Sequence, residues 1–234
     1  MQFRLYLLDV SALEDDSLRQ KALSLMDSFR KGKIYKYKTL KDQLHQIATG
    51  LLLQIGLLEL EPPGVTRLEY GCKTSVEESC SINDVSGTVF VCQVEDIIRS
   101  LEEYRDCNIG ISFPVEAQYG LMEEGKPYWK HALLEQFPTK KFSKFSISHS
   151  GAYAALAISD KEIGLDVQQE RNTAFVGGCQ EFSRMESFVK CTGEGYAKGF
   201  SKYKQLEKNT KDFIFDKIDV LSGYVIYLCH SNKD

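Results

Sequence analysis

The sequence predicts an α+β fold, and three observations predict it. Residues 14–30 and 39–60 place apolar side chains three and four positions apart, the spacing of one face of a helix. Phe142 to Ser150, FSKFSISHS, sends Phe145, Ile147 and His149 one way and Ser146 and Ser148 the other, the period of a strand. Short apolar runs separated by polar turns follow it. Helices and antiparallel-looking strands thus fall into separate runs, the α+β pattern.

Taken in order, the amino terminus MQFRLYLLDVSALEDD has only a short apolar stretch, broken by Arg4 and running into acids. It fits neither a signal peptide nor a membrane span. Two helices are expected over 14–30 and 39–60, joined by a lysine-rich segment, the second stopped by Pro62-Pro63-Gly64. GLLLQIGLLEL, residues 50–60, is the most apolar segment, and Gln54 with its polar flanks makes it a buried helix. Between 70 and 124 the pattern is mixed, with strands expected at Thr88–Val91 and Ile109–Phe113 and a helix at 94–104. Strands are expected at 142–150, Tyr153–Ile158 and Ile163–Val167, then a helix opening at Ser183, a polar linker, and strands at Phe213–Ile218 and Tyr224–Leu228.

Composition narrows the function classes. With 43% hydrophobic and 26% charged residues in 234, the chain matches an ordinary globular protein. A formal net charge of −4 and a pI near 5.7 argue against a nucleic-acid binder, so any phosphate site must be local. Seven cysteines form no Cys-x-x-Cys pair, which signals free, mostly buried thiols. The expected setting is cytoplasmic, without a membrane partner, and as a monomer.

Four groups of residues carry chemistry. In IGLDVQQE, Asp166 and Gln168 share one strand face, Leu165 and Val167 the other. A carboxylate on an apolar strand is costly unless paired or metal-bound, so Asp166 is either an edge residue in water or a magnesium ligand. Glu186 and Lys190 lie four apart on a helix. They form either a helix cap with Ser183 and an ordinary ion pair, or an acid on metal beside a lysine on phosphate. His149, where a strand turns, is either structural or faces a cleft. Arg30, Lys31, Lys33, Lys36, Lys38 and Lys41, interleaved with Tyr35 and Tyr37, form either a solvated joint or a site for an anion carrying a base.

Read in sequence, FSISHSG, IGLDV and SRMESFVKCTGEG resemble the ordered motifs of the 4'-phosphopantetheinyl transferases of the pseudodimeric Sfp type. The family pattern is Phe-Asn-(apolar)-Ser-His-Ser-Gly, Gly-(apolar)-Asp-(apolar)-Glu and Trp-(Ser/Thr)-x-Lys-Glu-(Ala/Ser)-x-x-Lys. Gly125-Lys126-Pro127 looks like its Gly-Lys-Pro element, and DQLHQIATG over 42–50 like its early helix. The resemblance implies two similar α/β halves, here 1–159, with an enlarged 70–124 region, and 160–234. It implies Mg²⁺-dependent transfer of the phosphopantetheine arm of coenzyme A to a serine of an acyl or peptidyl carrier protein, releasing 3',5'-ADP. Asp166 and Glu186, with Gln168, would hold Mg²⁺, and Lys190 would neutralise charge there. His149 and Ser148 would bind the coenzyme near its phosphates, and Lys126 with some of Lys31, Lys33 and Lys36 the adenosine 3'-phosphate side. Both carboxylates are expected to lie at the metal and not in the core.

The chain departs from the pattern where Gln168 replaces a second acid, Met185 a lysine and Phe182 a tryptophan, and where His45 stands for a common arginine. The interval from Asp166 to Glu186 is also shorter than usual. Two rival readings follow: a degenerate member that binds coenzyme A or carrier protein without turnover, and a plain interaction domain.

Overall fold

The structure, a computed structural model, describes residues 1–60, 78–82, 85–107, 119–135, 142–171, 177–206 and 212–232. In chain order the elements are β1 (Gln2–Asp9), a 3-10 turn (Ser11–Glu14), α1 (Asp16–Ser24), α2 (Ser28–Ile34), α3 (Leu40–Leu58), β2 (Glu78–Ile82), β3 (Val85–Cys92) and α4 (Val94–Cys107). There follow β4 (Tyr119–Leu121), β5 (Pro127–Trp129), α5 (His131–Leu134), β6 (Lys144–Ser150), β7 (Tyr153–Ser159), β8 (Ile163–Gln169), α6 (Gly178–Thr192), α7 (Gly195–Leu206), β9 (Phe213–Lys217) and β10 (Tyr224–Ser231). The chain is therefore mixed α and β. The expected strand at Ile109–Phe113 and the stop at Pro62-Pro63-Gly64 lie outside the described residues, as does much of 70–124.

The amino-terminal segment, for which the sequence reading assigned no element, is the central strand of the larger sheet, ordered β2-β3-β1-β7-β6. It pairs parallel with β3 and antiparallel with β7. Leu5 and Leu7 enter one core and Tyr6 and Leu8 another, so both faces are buried and no polar alternation marks the strand.

The segment 14–30, expected as one helix, is broken. Asp27 accepts a hydrogen bond from the Arg30 amide at 2.7 Å and restarts the helix as α2, just as Asp15 accepts from Leu18 at 2.8 Å to start α1. An aspartate able to cap will end one helix and begin another. Helix α3 matches its expectation. Thr39 caps it, Gly50–Leu58 are buried, and the buried Gln54 accepts from the Arg105 guanidinium at 3.3 Å. Among the described residues no helix is long and apolar enough to cross a membrane.

Four layers result. Helices α1, α3 and α4 cover one face of the five-stranded sheet through Leu8, Ile47, Leu51, Ile55, Ile97 and Leu156. The other face, with Phe3, Leu5, Leu7, Ala155 and Ala157, packs on Ile163, Leu165, Val167, Ile226 and Leu228 of a second sheet ordered β8-β10-β9. Helices α6 and α7 cover the far side of that second sheet through Met185, Phe188, Cys191, Tyr203 and Cys229. Each fully buried aliphatic side chain is worth about 1.5–3 kcal/mol, against about 0.5–1.5 kcal/mol net for a hydrogen bond. The apolar interface, more than the polar contacts crossing it, therefore holds the sheets together.

The polar contacts set the register instead. Edge strand β6 faces edge strand β8, and the hydroxyls of Ser146, Ser148 and Ser150 accept from the amides of Leu165, Val167 and Gln169 at 3.0, 3.2 and 3.0 Å. Three serine oxygens thus do for β8 what a neighbouring strand's carbonyls would do, leaving its outward amides satisfied. The alternation of FSKFSISHS is what puts all three on one side.

Between α6 and β9 the sequence reading expected a polar linker, but residues 195–206 form α7. GYAKGFSKYKQL reads as a linker because of its glycines and lysines. Gly199, however, is required by packing: a side chain there would come within 2.8 Å of Val189 Cγ2, so its absence lets α7 lie on α6. Tyr203 then buries against Phe188. Cys92, Cys191 and Cys229 are buried and Cys179 is partly exposed.

Candidate active site

Asp166 sits in the middle of β8 on the face opposite Leu165 and Val167, as its period requires. It is not an edge residue in water. Its residue exposure is 1%, and its carboxylate is surrounded by donors. Oδ1 accepts from Lys190 Nζ at 2.6 Å and from Ser148 Oγ at 3.0 Å, while Oδ2 accepts from Gln168 Nε2 at 2.8 Å. The expectation that this aspartate lies outside the core is corrected accordingly: it is a buried charge kept tolerable by three hydrogen bonds, one of them from a cation.

Helix α6 delivers the partners. It opens at Gly178, five residues before the expected start, so Ser183 is inside the helix and the capping reading fails. Its hydroxyl donates to the Asp166 carbonyl at 3.3 Å and so ties the helix to the strand at the site. Lys190 lies two turns further on. Its ammonium goes to Asp166 and Ser148, so the alternative of an ordinary Glu186–Lys190 pair gives way to a contact between helix and strand. The helix can come this close because β8 carries Gly164. A side chain there would sit 1.9 Å from the Ser187 carbonyl and 2.4 Å from the Cys191 amide.

Glu186 stands between Ser183 and Lys190 along α6. Partial burial, together with the negative charge of Asp166, raises its pKa, and Lys190 only partly offsets this. The two carboxylates are therefore close enough to feel one another.

His149, next to last in β6, is exposed, yet its ring stacks on His45 of α3 with centroids 4.7 Å apart. Desolvation on the packed side, then the charges of His45 and Lys190, hold its pKa to about 4. His149 is therefore neutral near pH 7, a hydrogen-bond donor or acceptor and not a cation. His45 in turn lies 3.1 Å from the Gly151 carbonyl, and burial lowers its pKa also. Ser148, expected to contact a coenzyme, is buried and turned inward, its hydroxyl shared among Val167, Lys190 and Asp166.

A cavity of about 260 Å³ opens beside these groups, lined among others by Lys126, Ser146, Glu186, Lys190, Gly193 and Tyr196. Lys126 reaches it from the turn between β4 and β5 and is held by Glu162 at 2.6 Å and the Cys191 carbonyl at 2.5 Å. Lys144 binds the same glutamate at 2.5 Å, and the two lysines keep Glu162 ionised below its usual range despite partial burial. The lysines of the basic segment are not drawn into this cluster. Lys33 donates to the Tyr119 hydroxyl at 3.2 Å and lies over the Phe29 and Tyr119 rings, Lys31 is half-buried on α2, and Lys36 is exposed beyond it.

The structure thus joins Ser148, Asp166, Gln168 and Lys190 directly and sets Glu186 beside them. Lys126 shares the cavity with Glu186 and Lys190. Glu162, Ser146 and Gly164 carry parts of the arrangement that the sequence reading did not assign. Only the alternating serines left a signal that could have found one of them.

Among the described residues there is no group of three or more histidine, cysteine, aspartate and glutamate side chains able to hold an ion. Two carboxylates alone suit Mg²⁺, which keeps waters and takes further oxygens from phosphates, and do not suit a closed zinc cage. Asp166 and Glu186 are thus a donor pair for Mg²⁺ only where a phosphate-bearing ligand and water complete its shell. No protein-family model matches the chain, and no curated protein is significantly similar to it.

Proposed function

We propose that this chain is a phosphopantetheinyl transferase, moving the 4'-phosphopantetheine arm of coenzyme A to a serine hydroxyl of an acyl or peptidyl carrier protein and releasing 3',5'-ADP. One observation carries the reading: Asp166 on β8 and Glu186 with Lys190 on α6, twenty and more positions apart in sequence, converge with Ser148 at one cluster beside a cavity that also receives Lys126.

In this reading Asp166 and Glu186 are the residues that hold Mg²⁺, which when bound neutralises charge on the coenzyme diphosphate. Lys190 presents an ammonium to the same phosphates, and His149, neutral near pH 7, offers a hydrogen bond. The bond that forms joins the carrier serine oxygen to phosphorus, and the bond that breaks is the diphosphate P–O bond to 3',5'-ADP. Positioning and charge stabilisation supply most of the catalysis in phosphoryl transfer, and this set of residues is built for both. Lys126 stays tied to Glu162 and forms one wall of the site.

A second reading, a family member that binds coenzyme A or carrier protein without turnover, is favoured by Gln168, whose amide donates to Asp166 where an acid would add a metal ligand. One assay separates the two. The protein is incubated with coenzyme A, Mg²⁺ and a panel of apo carrier proteins, and the carriers are weighed by mass spectrometry. Addition of one phosphopantetheine arm, lost in Glu186→Gln, supports transfer. Binding of coenzyme A without an adduct on any carrier supports the second reading, and neither binding nor adduct ends both.

A further inference from the structure

We infer that Lys190 is a displaceable internal cation that keeps divalent ions off Asp166 until a diphosphate draws its ammonium away, so that metal and diphosphate bind together and not independently. The inference rests on the reading that Asp166 and Glu186 hold the ion, and it adds the device that decides when they can.

The geometry gives each group its part. The Asp166 carboxylate is fixed. It is 1% exposed, its carbonyl is tied to Ser183, and its oxygens accept from Ser148, Gln168 and Lys190. A carboxylate offers about four acceptor positions, so only about one is left. Lys190 is the movable member: its side chain is 28% exposed, it lines the cavity, and its charge sits at the end of a flexible four-carbon stem. Its Nζ is 2.6 Å from Oδ1, whereas Mg²⁺ needs an oxygen at about 2.0–2.1 Å. Ammonium and divalent ion cannot share that oxygen without bringing like charges into contact, so an ion that takes Oδ1 must displace the lysine.

What the lysine can move to decides the consequence. With no anion in the cavity, a displaced ammonium exchanges a charge-assisted bond to a buried carboxylate for water, and metal alone binds weakly. With a diphosphate in the cavity, the ammonium moves from one anion to another while its place on Asp166 is vacated. Each ligand then raises the affinity for the other by the same factor, as linkage requires. Lys126 cannot serve as this relay, because Glu162 and the Cys191 carbonyl already hold it.

The test uses Mn²⁺ as a paramagnetic probe, with free ion measured by electron paramagnetic resonance, and coenzyme A as the diphosphate, its own Mn²⁺ affinity measured and subtracted. The full chain is expected to bind Mn²⁺ alone weakly and more tightly with coenzyme A, by a factor on the order of 5–150. Lys190→Met is expected to bind Mn²⁺ alone more tightly than the parent and to lose most of that enhancement. Lys190→Arg keeps a cation on Asp166 and retains weak binding of metal alone, which covers the case in which the methionine variant does not fold. Equal Mn²⁺ affinity with and without coenzyme A in the parent chain overturns the inference, as does an unchanged affinity for metal alone in a folded Lys190→Met. If no variant binds Mn²⁺ even with coenzyme A, the Asp166–Glu186 reading falls and takes the inference with it, a result distinct from the other two.

Discussion

The Ser148 hydroxyl donates to Asp166 Oδ1 at 3.0 Å while accepting from Lys190 Nζ at 3.0 Å and from the Val167 amide at 3.2 Å. One oxygen therefore joins the edge of one sheet to the edge of another and to the helix that covers it. Ser148→Ala removes an acceptor from two donors and a donor from a buried carboxylate. The expected loss is about 1–3 kcal/mol of unfolding free energy, measured by urea denaturation, with a larger loss of activity because Asp166 and Lys190 lose their common anchor. A Ser148→Ala protein as stable and as active as the parent would show that the contact is incidental.

Gly164→Ala tests the approach of helix α6 to β8. Its new methyl would lie 1.9 Å from a backbone oxygen and 2.4 Å from a backbone nitrogen, atoms that cannot rotate away. Overpacking of this kind costs about 1–3 kcal/mol or more. Thermal melting is expected to fall by several degrees, with activity lost in the folded fraction, since Glu186 and Lys190 move with the helix. Retention of both would mean that helix and strand are less closely seated.

Gln168→Glu exchanges a donor to Asp166 Oδ2 for a second carboxylate beside it. In the absence of divalent ions the like charges are expected to destabilise the protein by about 1–3 kcal/mol. Added Mg²⁺ is expected to restore more stability to this variant than to the parent, and the Mg²⁺ concentration for half-maximal transfer is expected to fall. An unaltered Mg²⁺ requirement would place Gln168 outside the metal shell.

The pH dependence of stability follows from His149. Its folded pKa of about 4 lies below the ordinary 6.5, so the unfolded chain binds the extra proton first. Its contribution disfavours the folded state progressively as pH falls from about 6.5 towards about 4 and is absent above that window. His149→Asn is therefore expected to flatten the melting temperature between those limits and leave it little changed at pH 8, the size being modest because the ring is partly exposed. An identical pH profile in the variant would remove His149 as the source.

Much of the fold was legible because it is periodic. The three-and-four spacing of 39–60 marked α3, alternation marked β6, and the period of two put Asp166 and Gln168 on one face of β8. Strand β1 is buried on both faces and shows no alternation, Asp27 divides a helix that its apolar spacing continues, and Gly199 disguises α7 because a packing requirement looks like a break.

By itself the sequence determined the class of the fold, the faces of its regular elements and the presence of acids, a lysine and a histidine in a suggestive order, since these depend on neighbours a few residues away. Only the tertiary structure decided that Lys190 sits on Asp166 and not on Glu186, that Ser183 is tied to the strand and does not cap a helix, and that Ser148 faces inward. A side chain's partner is chosen by whichever charge or donor folding brings within hydrogen-bond reach, and that distance is not written in the spacing of residues along the chain.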